Sequence, residues 1–158
     1  MEKRFDLQFQ NFTRIYRSYD KIYHELAVYF HMADSVLYIL SSLYEMETPC
    51  TPKDICGYCS TNKQTVHSAL KTLEEQECIT ISPSPTNKKN RLVELTPKGK
   101  ELLHTTIQPI KELEVAAFSE LSDTEREQLL QLERKYFEAF RRHVEDFYRR
   151  NEATRRDS

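Results

Sequence analysis

Glycine is nearly absent. Only Gly57 and Gly99 occur in 158 residues, which favours helices and leaves little material for a glycine-rich phosphate loop. Long apolar runs are missing too. None is longer than Val36–Leu40, far below the ~20 residues that a membrane span needs. Nothing in Met1-Glu2-Lys3-Arg4 or the mixed pattern after it resembles a secretory signal. The expected address is the cytoplasm, with no membrane partner. There is no nucleophile elbow and no metal-hydrolase spacing, and His24, His31, His67, His104 and His143 form no His-x-x-x-His pair. These absences argue against the common hydrolase readings. The expectation is a non-enzyme with no cofactor and no metal.

What remains is a soluble, globular composition, 39% hydrophobic and 30% charged. The net charge of −2 does not point to nucleic acid, but its distribution does. Ser84 to Lys100 holds Lys88, Lys89, Arg91, Lys98 and Lys100 against Glu94, a local +4 that leaves −6 on the rest. A basic patch on an acidic body is an electrostatic footprint for DNA.

Phe5, Phe9, Phe12, Tyr16, Tyr19, Tyr23, Leu26 and Phe30 advance in alternating steps of four and three. That heptad seam predicts a long helix that packs on a partner helix. A second helix is expected from Ala33 to Glu45, with Val36, Leu37, Leu40 and Leu43 or Tyr44 facing inward. Thr51-Pro52-Lys53-Asp54 is a helix start. Pro52, Ile55, Cys56 and Cys59 form the buried stripe of the short helix that follows. Thr61-Asn62-Lys63-Gln64 opens the next helix as a Thr-x-x-Gln capping box. Val66, Ala69, Leu70 and Leu73 point inward there, and Lys63, Gln64, His67, Ser68 and Lys71 point outward. Ile79–Ser82 and Arg91–Leu95 alternate as paired strands around a polar, basic loop. Thr96-Pro97 starts a further helix, which Pro109 should kink. Ser122-Asp123-Thr124-Glu125 caps the last one, with Leu130, Phe137, Phe140, Val144 and Phe147 on one face.

The expected fold class is mainly α with a small β-hairpin wing: a winged helix-turn-helix plus long dimerisation helices. Residues 1–158 are read as a single domain. Residues 1–32 and 101–150 are its dimerisation helices, 33–100 its DNA-binding lobe and 151–158 a flexible tail. The second helix of the pair can enter a major groove about 12 Å wide. Thr61, Asn62, Lys63, Gln64, Thr65, His67, Ser68 and Lys71 are its candidate DNA contacts, and Lys88, Lys89 and Arg91 are those of the wing.

The ordered set Thr51-Pro52-Lys53-Asp54-Ile55, Asn62-Lys63-Gln64-Thr65-Val66, Leu70-Lys71-Thr72-Leu73-Glu74, Ile79, Asn87-Lys88-Lys89 and Leu95-Thr96-Pro97-Lys98-Gly99 resembles the MarR family of bacterial regulators. The resemblance covers residues 33–100. It implies a homodimer on a pseudo-palindromic operator in double-stranded DNA, a ligand-responsive repressor as the family default, and a small aromatic effector. Tyr16, Tyr19, Tyr23, His31 and Tyr38 are candidates to line the effector pocket. Three departures stand out. Thr86 occupies the place of a wing Arg that often enters the minor groove. Glu77 replaces the usual glycine, which predicts a different end to the recognition helix. No cysteine lies in the first helix, which excludes a peroxide sensor built there.

Two other readings compete. One is a winged-helix protein-interaction module without DNA binding. The other is a thiol- or metal-responsive regulator that uses Cys56 and Cys59. A lone Cys-x-x-Cys is two ligands short of a structural zinc site; Cys50 or His67 would have to complete it. Both cysteines also fit the inward stripe, where cysteine acts as a small hydrophobe.

Overall fold

The computed structural model of the chain describes residues 2–46, 48–59, 61–87 and 90–156. It contains helix α1 (Glu2–Tyr29), α2 (Asp34–Glu45), α3 (Pro52–Cys59) and α4 (Lys63–Glu75). Strands β1 (Ile79–Pro83) and β2 (Arg91–Leu95) follow, then α5 (Pro97–Leu102), a π-helical stretch (Leu103–Ile107), α6 (Gln108–Ser119) and α7 (Asp123–Arg156). Contacts divide the chain into two compact units, 1–111 and 112–158.

The first unit holds the core. Ile39, Leu40 and Leu43 of α2, Ile55 of α3, and Val66, Ala69, Leu70 and Leu73 of α4 are buried together with Ile79, Val93, Leu103, Ile107 and Ile110. The inward stripes expected for α2 and α4 are buried, with Leu43 rather than Tyr44 completing α2, whereas in α3 Ile55 and Cys59 are buried and Pro52 and Cys56 only partly so. The strands pair antiparallel, Ile79 opposite Leu95 and Ile81 opposite Val93. A bridge from Cys50 to Val93 adds a third short rung, so the segment before α3 is stitched to the wing.

The helix starts follow local capping chemistry, with one correction. Thr51 and Asp54 exchange hydrogen bonds as a capping box, as do Ser122 and Glu125. Thr96 Oγ1 accepts from the Gly99 N–H at 3.0 Å. At α4, however, the cap is Asn62 and not Thr61: the Asn62 side chain accepts from the Thr65 N–H at 2.9 Å. Ser, Thr and Asn all cap well, so adjacent Thr and Asn leave the frame open in the sequence.

Pro109 does not stop its helix. It has no N–H to give, and the chain widens just before it: the Gln108 N–H donates to the Leu103 carbonyl, five residues back. The helix then resumes, and Ile110 reaches the core.

The second unit, 112–158, is helical. None of its described residues is buried. Phe137, Phe140 and Phe147 lie at helical spacing on α7, each about three-fifths exposed. The helix runs to Arg156, past Asn151, where the sequence places the start of a flexible tail.

Candidate nucleic-acid interface

Helix α4 presents a polar outer face. Asn62, Lys63, Gln64, His67, Ser68 and Lys71 are exposed, while Thr61 and Thr65 are half-buried. Asn62 holds the N-terminus by accepting from both the Thr65 N–H and the Thr65 hydroxyl. Lys71 lies 3.7 Å from Glu75, one turn on. Lys63, Gln64, His67 and Ser68 therefore form a run of solvent-facing groups along the first two turns, where the positive end of the helix dipole faces outward.

The end of α4 corrects the expectation drawn from Glu77. The chain keeps a left-handed residue there, and Glu77 adopts it at φ 59°. The Glu77 N–H donates to Glu74 O and the Cys78 N–H to Leu73 O, both at 2.9 Å, which is a Schellman cap. Groups distant in sequence enforce it. Thr96 Oγ1 donates to Glu77 O at 2.7 Å, and the Thr96 N–H donates to Cys78 O. Gly99 presses so close that a Cβ built on it would sit 1.9 Å from the Cys78 carbonyl oxygen. The exit of the recognition helix is thus clamped to the exit of the wing. These contacts hold their relative placement.

On either side of the wing tip the backbone is tied by hydrogen bonds. The Ser84 N–H donates to Asn90 O and the Asn90 N–H to Asn87 O, both at 2.8 Å. Ser84 is buried, and its hydroxyl lies 3.0 Å from that of Thr86. Thr86, Asn87 and Arg91 are exposed. Lys88 and Lys89, the other wing candidates, lie outside the described residues.

At the start of α3, Asp54 accepts from the Thr51 hydroxyl and N–H, which lowers its carboxyl pKa below the usual range. Cys59 is buried with its Sγ 2.8 Å from Ser42 Oγ, and Cys56 is partly buried against the same core. Burial raises the thiol pKa of Cys50 and Cys78. No three metal-ligating side chains gather among the described residues.

The effector candidates take separate places. Tyr16, Tyr19 and Tyr23 lie along the exposed side of α1. His31 ends that helix in a left-handed conformation, φ 55°. The Tyr38 hydroxyl donates to the Cys59 carbonyl at 3.2 Å. Sequence reading missed a polar cluster, Glu45, Tyr58 and Lys111. Its other members lie 13 and 66 positions from Glu45, and no local spacing marks them.

Two packed helices with a clamped wing define a winged helix-turn-helix protein. Residues 32–89 match the model of the MarR family. That family consists of DNA-binding transcription regulators and not enzymes. No curated protein sequence matches the chain. Solved structures with the same fold include a Staphylococcus aureus MepR–DNA complex, 21% identical, TM-score 0.70, covering 83% of this chain and 96% of that one. Staphylococcus aureus MarR in complex with salicylate and kanamycin is 24% identical, TM-score 0.67, covering 87% and 92%. Bordetella bronchiseptica BpsR, whose DNA binding is regulated by 6-hydroxynicotinic acid, is 20% identical, TM-score 0.65, covering 80% and 90%.

Proposed function

We propose that this chain is a cytoplasmic, homodimeric transcription regulator, a ligand-responsive repressor that binds a pseudo-palindromic operator. The observation that carries the proposal is the exposed face of Lys63, Gln64, His67 and Ser68 beside a wing-and-helix segment, Ser84 to Lys100, that holds a net +4. Gln64, His67 and Ser68 supply donors and acceptors for base edges. Lys63, Lys71, Arg91 and the two wing lysines supply phosphate contacts.

The dimer reading draws on the unburied apolar faces. On α1, Ile15 and Ile22 are exposed beside the Tyr16, Tyr19 and Tyr23 seam. A face that wide suits contact with more than one helix. In a dimer the recognition helices must lie about 34 Å apart to read two half-sites. A small aromatic acid is the effector class, by likeness to MarR with salicylate and BpsR with 6-hydroxynicotinic acid.

The test is binding to the DNA upstream of the protein's own gene at two salt concentrations. The regulator predicts steep weakening between about 50 and 200 mM salt, with a log-log slope near −0.9 per neutralised phosphate. Absence of binding at low salt would favour the protein-interaction reading and overturn this one.

A further inference from the structure

Glu45, the last residue of α2, joins three helices of the first unit. One carboxylate oxygen accepts from the Lys111 ammonium at 2.5 Å. The other accepts from the Tyr58 hydroxyl. Tyr58 belongs to α3, the first helix of the helix-turn-helix pair, and Lys111 to the first turn of α6. Both bonds favour the ionised carboxylate: the Glu45 pKa falls, first through Lys111 and then through Tyr58. The Tyr58 hydroxyl titrates higher for the same reason. A negative charge at a helix C-terminus opposes the dipole, and Lys111 offsets it. The Lys111 side chain is 26% exposed, against 62–78% for the lysines paired with Glu25, Glu75 and Glu77. This pair is partly withdrawn from water, where a fixed geometry holds more firmly than on an open surface.

Its position in the chain gives the cluster a role. Lys111 is the last residue of the first unit, and it stands in the first turn of α6. Directly before it come the π-helical stretch and Pro109, where helical hydrogen bonding is irregular. The Glu45 carboxylate pins the helix just after this irregular stretch.

We propose that Glu45 is a positioning residue for DNA binding: with Tyr58 and Lys111 it clamps the first turn of α6 to α2 and α3, and so holds the helix-turn-helix pair in one geometry. The proposal rests on the DNA-binding reading. Loosening the clamp leaves each lobe able to grip phosphate. It removes the fixed geometry that lets two lobes engage two half-sites together.

The experiment uses the full chain and two duplexes: one that the wild-type protein selects from a random pool, and a shuffled version of it. Glu45→Gln keeps the shape and removes the charge. It should weaken binding to the selected duplex by about tenfold, the scale of a coupling contact outside the site, and leave the shuffled duplex unaffected. Exchanging the charges, Glu45→Lys with Lys111→Glu, should recover most of the loss, because the Tyr58 hydroxyl can accept as well as donate. Unchanged affinity for the selected duplex overturns the clamp. So does an equal loss on both duplexes, which marks general unfolding. So does failure of the exchange to recover binding. Wild-type protein that selects no duplex overturns the DNA-binding reading itself, a result seen before any variant is made.

Discussion

Glu77 carries the largest difference between sequence and structure at the scale of one residue. A non-glycine residue in the left-handed region costs roughly 1–2 kcal/mol. This one is held there because Thr96 and Gly99 lock the backbone that follows it. Its ion pair with Lys98, at 3.9 Å with both side chains mostly exposed, contributes little in return. Glu77→Gly should therefore stabilise the protein by roughly 0.5–1 kcal/mol, after allowing for the extra freedom glycine gives the unfolded chain. Calorimetry should show a melting point raised by about 2 °C. A lowered one would mean that the side chain does more than tolerate its conformation. The sequence announced a missing glycine and hid the reason it is dispensable, since the locking groups lie 19 and 22 positions downstream.

Elements were far more legible than caps and couplings. The inward stripe of α4, Val66, Ala69, Leu70 and Leu73, is visible in the sequence because one periodicity accounts for all four, and all four are buried. Its first residue was not, because Thr61 and Asn62 are equivalent as caps until geometry chooses between them. Asn62→Ala should cost about 1 kcal/mol in denaturant unfolding, and Thr61→Ala a small fraction of that. The reverse order would move the cap back by one residue. The wing's strands were readable from alternation, whereas the Glu45–Tyr58–Lys111 cluster was not, because it joins three elements by tertiary packing alone. The start of α3 gives a pH prediction. The Asp54 pKa is lowered in the folded protein by its bonds to Thr51. Its contribution is present above the unfolded value, about 4, and is lost as pH falls through the folded one. Asp54→Asn should be less stable than wild type at pH 7, with the gap narrowing as the solution is acidified. A gap that does not change with pH would show that the ionised carboxylate is not what holds the cap.

At the scale of the whole molecule, an imbalance decides the argument. The first unit buries a core, while α7 exposes Leu130, Phe137, Phe140 and Phe147 along one face. Apolar patches of that length on a monomer are rare unless something covers them, and each large side chain placed in an interface contributes on the order of 1.5–3 kcal/mol. The proposed dimer covers this face with a second copy of the chain, which also supplies the second recognition helix that a pseudo-palindromic operator requires. Sedimentation equilibrium should return twice the 18.8 kDa chain mass. Phe140→Glu with Phe147→Glu should shift that mass towards the monomer and leave the circular dichroism of the lobe intact. On DNA the same variant should lose specific affinity, and its salt slope should fall towards half the wild-type value, because one lobe neutralises half as many phosphates. A wild-type monomer that binds its operator at full strength would refute the dimer. A monomeric variant with an unchanged slope would show that the second lobe never touched the duplex.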